Sequence, residues 1–194
     1  MSNRFAVAHA LNRMVGGGPG PFWGCPPARV TSALTGAMKD LFSFPYPCRG
    51  GTLPRLRLTE AGMGVQETWK LYGAGSVGSQ ALTGIPRVRA LRDDPDLRAV
   101  SQVWPFETGF TAAAVSGGPC VLHAEIWPGI VPGPDLDAEV ASTGAIRDQA
   151  QVRLMCRWAA ALDARGELGA LLDPPPGLGE EDERAVVGEE GWIL

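Results

Sequence analysis

A chain of 194 residues with 45% hydrophobic and 20% charged residues can bury a sizeable core and is too apolar to remain disordered. Its net charge of -4 excludes broad, sequence-independent nucleic-acid binding, because that mode relies on Lys and Arg displacing the counterions of the phosphate backbone; a local basic groove stays open. The 26 Gly and 17 Pro predict a turn-rich fold, read as a single domain over 1–194 with a Pro-rich, acidic tail segment at 173–190.

The N-terminal residues Ser2 and Asn3 can cap a helix that runs to about Val15, with Val7, Leu11 and Met14 as its apolar stripe. Arg4 and Arg13, with no acid before Asp40, faintly resemble a transit peptide, but a capped surface helix accounts for them more simply. Two breaker-rich stretches follow, Gly16 to Trp23 and Phe44 to Gly51, both expected to be packed loops with aromatic anchors. Alternation from Leu53 to Leu58 predicts a short strand, and Glu67 to Tyr72 can extend in the same way. A helix is predicted from about Ser76 to Gly84, closed by Ile85-Pro86, and an Arg-rich segment covers Arg87 to Arg98.

Better strand candidates are Ala99 to Phe106 and Cys120 to Trp127, separated by a Gly117-Gly118 turn. In the second, Leu122, Ala124 and Ile126 fall on one face and His123, Glu125 and Trp127 on the other, so a carboxylate is expected near the end of a largely buried strand. The clearest helix is predicted from about Thr143 to Arg165, with Asp148, Val152, Met155, Ala159 and Leu162 on an inward stripe. After Asp173 the chain reads as a solvated linker with a docking end at Trp192-Ile193-Leu194.

Cys25, Cys48, Cys120 and Cys156 form no C-x-x-C pair, and we read them as buried or incidental thiols of a reducing compartment. With no apolar run long enough to span a bilayer, a soluble, cytoplasmic protein without a membrane partner is expected. Lys occurs only at Lys39 and Lys70; the Arg bias suits bidentate anion recognition but is explained more simply by GC-rich codon usage. Gly73, Gly75 and Gly78 spell G-x-G-x-x-G, yet QETWKLY before them is no buried Val/Ile strand, and no second strand ends in an acid at the required distance. A tight structural turn is the simpler reading. With His9 and His123 as the sole histidines and no G-x-S-x-G elbow, neither a closed zinc site nor serine-hydrolase chemistry is expected.

Glu125 on a strand and Asp148 at a helix start remain. Carboxylates converging from different elements commonly hold Mg²⁺, with waters and substrate phosphate completing the octahedron, while helix capping and salt bridging are the ordinary alternatives.

The segments NRFAVAHALN, GPFWG, WKLYGAGSVGSQALTGIP, VWPFETG, HAEIWP, RDQAQV and EEGWIL resemble, in order, the blocks of a bacterial family of unknown function, the predicted RNase H-like nucleases. The resemblance runs from Asn3 to Leu194, and its most distinctive block is Trp69 to Pro86. It implies an α/β fold with an RNase H-like mixed sheet flanked by helices and a metal-dependent phosphodiester hydrolase binding Mg²⁺ or Mn²⁺. The family's strand acid falls on Glu125 and its helix acid on Asp148, with Glu107 and Gln151 as secondary candidates for the same cleft. The family's D-W-S and G-F-D-F-P strands have no counterpart here, which implies a fold incomplete at the N-terminus and an impaired site lacking one Asp. An uncovered sheet edge would then favour self-association. A non-catalytic nucleotide- or partner-binding module with the same fold is the alternative, and nucleic acid or a nucleotide is the expected partner of either.

Overall fold

The computed structural model describes residues 3–111 and 118–194. The chain divides into two compact units, Met1–Leu91 and Arg92–Leu194, each mixing helices with a two-stranded sheet. Among the described residues no helix is long and apolar enough to cross a membrane.

The first unit begins with helix α1, Arg4–Val15. Ser2, expected as a cap, lies outside the described residues; Asn3 caps through its carbonyl, which accepts the Ala6 and Val7 N–H groups at 2.9 and 3.1 Å. The inward face is not Val7, Leu11 and Met14. Met14 is 69% exposed, and the buried line is Ala8 and Asn12, one turn apart. Ala8 joins Cys25, Leu34 and Leu71 in a core to which Phe5, Phe22 and Leu82 add partly buried surface. A small residue lets the helix approach closely, and burial raises the Cys25 thiol above its usual pKa.

The two breaker-rich loops carry the expected aromatic anchors. Phe22 meets Trp69 edge-on at 5.2 Å, and Tyr46 meets Phe42 at 5.5 Å. Within the second loop lies a hairpin of β1, Tyr46–Cys48, and β2, Gly51–Leu53, antiparallel with Tyr46 opposite Leu53. The strand expected over Leu53 to Leu58 stops at Leu53, and Leu58–Glu60 is a 3₁₀ turn fastened by the Glu60 carboxylate, which accepts the Arg57 N–H at 2.9 Å. Extension over Glu67 to Tyr72 is confined to one parallel bridge: Lys70 lies opposite Trp23, with the Trp23 N–H donating to the Trp69 carbonyl and the Leu71 N–H to the Trp23 carbonyl.

Helix α2, Gly78–Arg92, passes through Pro86 instead of ending at Gly84. A helical proline lacks the N–H that would bond four residues back and crowds that carbonyl. Ile85 and Pro86 face solvent, and the first part of the Arg-rich stretch, to Arg92, becomes the end of the same helix.

In the second unit β3, Ser101–Val103, pairs in parallel with β4, Val121–His123, Ser101 opposite Val121. The strands are shorter than expected, and Gly117 of the intervening turn lies outside the described residues. Helix α3, Gly133–Thr143, was not anticipated from its sequence; it ends at Gly144 (φ 66), and α4, Arg147–Ala164, returns against it. Leu136, Ala145 and Ala150 are the core of this pair, with Val140 and Leu154 packed on them. The buried side of α4 is thus Ala150, Leu154 and Met155, while Asp148 is exposed and Val152 is 63% exposed. Two residues are 200° apart around a helix, so burying Ala150 turns Asp148 outward. An inward carboxylate would have to be paired or neutralised, and Asp148 avoids that cost.

The tail is more structured than a solvated linker. Leu168–Leu172 forms a 3₁₀ turn with Leu172 buried, and the acidic run becomes α5, Glu180–Ala185, whose first-turn carboxylates suit the positive end of the helix dipole. A π-turn over Val186–Glu190 buries Val186 completely. The docking end is present: Ile193 bridges in parallel to Glu125, and the Leu194 N–H donates to the Glu125 carbonyl at 2.9 Å.

Candidate functional site

Glu125 follows β4 by two residues and holds the chain end on its main-chain side. The segment is not a largely buried strand. Glu125 is exposed, as are Ile126 and Trp127, past the end of β4 and ahead of the Pro128–Ile130 turn. Its carboxylate therefore leaves an open strand end. Asp148 occupies the first turn of α4, also exposed.

One contact relates these two positions. Gln151, a turn beyond Asp148, donates from Nε2 to the Pro128 carbonyl at 3.1 Å, fastening the start of α4 to the turn that follows Glu125. Gln151 thus positions backbone and has its amide engaged.

Glu107 serves a different purpose. Both of its oxygens accept from Arg92, Nε at 3.0 and 2.8 Å and Nη2 at 2.8 Å, while Oε2 also accepts the Val103 N–H at 2.7 Å. This fork holds the turn after β3, and the hydrogen bond to Glu107 raises the Arg92 pKa further above its usual value.

Among the described residues no group of three His, Cys, Asp or Glu side chains converges as a metal cage. Two carboxylates nevertheless supply the hard oxygens that Mg²⁺ and Mn²⁺ prefer. Mg²⁺ is commonly held by only one or two carboxylates, with the rest of its shell from water and substrate.

No family model matches the chain. Neither does any curated protein or solved structure.

A second polar constellation was not foreseen. Ser101 Oγ lies 2.7 Å from His123 Nε2, a pairing created by the parallel register, which sets Ser101 opposite Val121 and so diagonally across from His123. Its signal was present as polar residues on two neighbouring strands. Without the register, no spacing within one segment links residues 101 and 123.

The G-x-G-x-x-G turn has structural reasons for its glycines. Gly73 (φ 99) and Gly75 (φ 69) adopt the left-handed region. Gly78 opens α2 where a Cβ would lie 2.5 Å from the Thr68 carbonyl oxygen and 2.8 Å from that of Lys70. Gly78→Ala is expected to cost about 1 to 3 kcal/mol through this backbone clash, measured as a lower urea midpoint; an unchanged midpoint would refute the steric account.

Proposed function

We propose that this protein is a metal-dependent phosphodiester hydrolase of RNase H-like architecture, with Glu125 and Asp148 as ligands for Mg²⁺ or Mn²⁺ and nucleic acid as the substrate class. The observation that carries the reading is the Gln151–Pro128 hydrogen bond, which joins the helix turn bearing Asp148 to the segment bearing Glu125 while both residues stay exposed. The parallel pair β3–β4 with helices following it supports the architectural part.

When bound, the metal would activate water and stabilise developing charge on the leaving oxygen. The chain's own contribution is positional. The bridge to Ile193 fixes the backbone at Glu125, and Gln151 fixes the helix start, so neither acid depends on a mobile loop for its place. Two acids make a weaker site than three, and activity below that of a complete carboxylate cluster follows. β3 pairs on one side alone among the described residues, and self-association through its other edge belongs to the same reading.

The absence of a three-acid cluster among the described residues also favours a second reading, a non-catalytic nucleotide- or partner-binding module. Calorimetric titration with Mg²⁺ and Mn²⁺ separates the two. Saturable binding by the parent, weakened about tenfold or more in both Glu125→Gln and Asp148→Asn, is expected, on the scale of one lost charged ligand. No binding by a parent shown to be folded by circular dichroism would overturn the hydrolase and leave the module.

A further inference from the structure

A cavity of about 590 Å³ opens in the second unit, between the start of β3 and the residues that lead into β4, lined in part by Arg92, Arg98, Ser101, Gln102, Gly118 and Cys120. Its volume falls in the range of small-molecule sites, roughly 300 to 1,000 Å³, and far exceeds that of a simple inorganic anion. Among the described residues no carboxylate lines it. The Arg92 charge is offset by the Glu107 fork described above. Arg98 is exposed and its guanidinium meets no carboxylate among the described residues, so the wall carries net positive charge. In the preceding loop, Asp94 Oδ1 accepts the Asp96 N–H at 2.9 Å, and the Asp94 main-chain carbonyl accepts the Arg98 N–H at 2.8 Å.

Two polar groups stand beside that charge. Ser101, a lining residue, is buried, and its hydroxyl is held at 2.7 Å from His123 Nε2. In the tautomer that carries its proton on Nε2, the imidazole donates to Ser101, whose own proton is then available to a ligand. Gln102 adds an amide on the same strand. A guanidinium with a serine and a glutamine beside it among the lining residues suits an oxyanion, and a planar guanidinium can bind two oxygens at once.

We propose that this cavity binds the phosphate of a nucleotide-sized phosphate monoester, with Arg98 as the charged anchor and Ser101 and Gln102 as supporting donors. The remaining volume accommodates the rest of the ester. This binding needs neither Glu125 nor Asp148, so it stands or falls separately from metal binding.

The experiment is a calorimetric titration in EDTA with adenosine monophosphate, inorganic phosphate and, as the carboxylate arm, acetate. The parent is compared with Arg98→Glu and with Arg153→Glu, an exposed position on α4 outside the cavity that matches the change in charge. We expect saturable binding of the nucleotide by the parent, weaker binding of phosphate, and a loss of about tenfold or more in Arg98→Glu but not in Arg153→Glu, the scale of one charge-assisted contact. Circular dichroism establishes that both variants are folded. Absence of saturable nucleotide binding by the folded parent, an equal loss in both variants, or acetate binding as tightly as phosphate would each overturn the proposal.

Discussion

Asn12→Leu is expected to destabilise the first unit by about 3 to 5 kcal/mol, although it replaces a polar side chain with an apolar one of similar size. Asn12 is 0% exposed and lies inside a helix, where its amide substitutes for missing backbone partners. Nδ2 donates to the Phe22 carbonyl at 2.8 Å and to the Ala33 carbonyl at 2.6 Å, while Oδ1 accepts the Phe22 N–H at 2.9 Å. Leucine satisfies none of these. Three main-chain groups would be left in a region that water cannot easily reach, each costing about 1 to 3 kcal/mol, with partial relaxation lowering the sum. A whole domain has only about 5 to 15 kcal/mol of stability, so the loss is a large fraction of it. Urea unfolding followed by tryptophan fluorescence measures the effect, and a change below about 1 kcal/mol would show that the loops find other partners. Asn12→Asp should fare no better, because a carboxylate cannot donate to either carbonyl.

Asn12 also explains why the face of α1 was misplaced. Apolar periodicity selects Val7, Leu11 and Met14, since it counts hydrophobic area and treats an amide as surface. Here the helix is held by three hydrogen bonds to loops that are distant in sequence, and Ala8 packs where a larger residue would hold the helix away. The end of α2 is a similar case. Pro86 is a strong local stop signal, but α2 runs through it at an exposed position with one hydrogen bond missing.

The mixed α/β character was legible because it depends on many short patterns taken together, and no one boundary decides it. Both strand candidates of the second unit do contain strands, and the long helix was placed to within a few residues at either end. Helix α3 was not read from the sequence; it opens on Gly133 and Pro134, and proline suits the first turn of a helix, where its absent N–H has no intrahelical role. The direction of Asp148 was lost for a different reason. A stripe through Val152, Met155 and Ala159 and one through Ala150 and Leu154 have comparable apolar content, and the choice between them is made by α3, which supplies Leu136 and Val140. Position on a helix could be read locally, but the side facing inward required the partner. For the candidate site, this means that its two positions were identifiable while their environment was not. The pairing of Ser101 with His123 was further out of reach, since it exists through strand register alone.

Trp104→Ala is expected to cost the second unit about 3 to 5 kcal/mol, the usual range for removing a buried large aromatic, and to loosen the segment that pairs with Glu125. Trp104 is 2% exposed, and its Nε1 donates to the Leu172 carbonyl at 3.2 Å. Its ring meets Phe110 edge-on at 5.4 Å, and Phe110 in turn meets Trp192 at 6.0 Å. Trp192 immediately precedes Ile193, the residue bridged to Glu125. The aromatic series therefore joins the end of β3 to the chain end that flanks the candidate site. Loss of the first ring removes the surface against which Phe110 rests, and the pairing at Glu125 should open before the unit unfolds. Hydrogen exchange reads this directly: the Leu194 amide, which donates to the Glu125 carbonyl, should exchange at least about tenfold faster in Trp104→Ala, by local opening of this kind. Trp104→Phe separates the two contributions. It retains a ring for Phe110 but leaves the Leu172 carbonyl without its donor, so stability should fall by about 1 to 3 kcal/mol while Leu194 stays protected. If Leu194 exchanges equally fast in both variants, the aromatic series is not what holds the chain end. If it remains protected in Trp104→Ala despite the lost stability, the bridge to Glu125 is held by its main-chain bonds alone, and the candidate site is insulated from that part of the core.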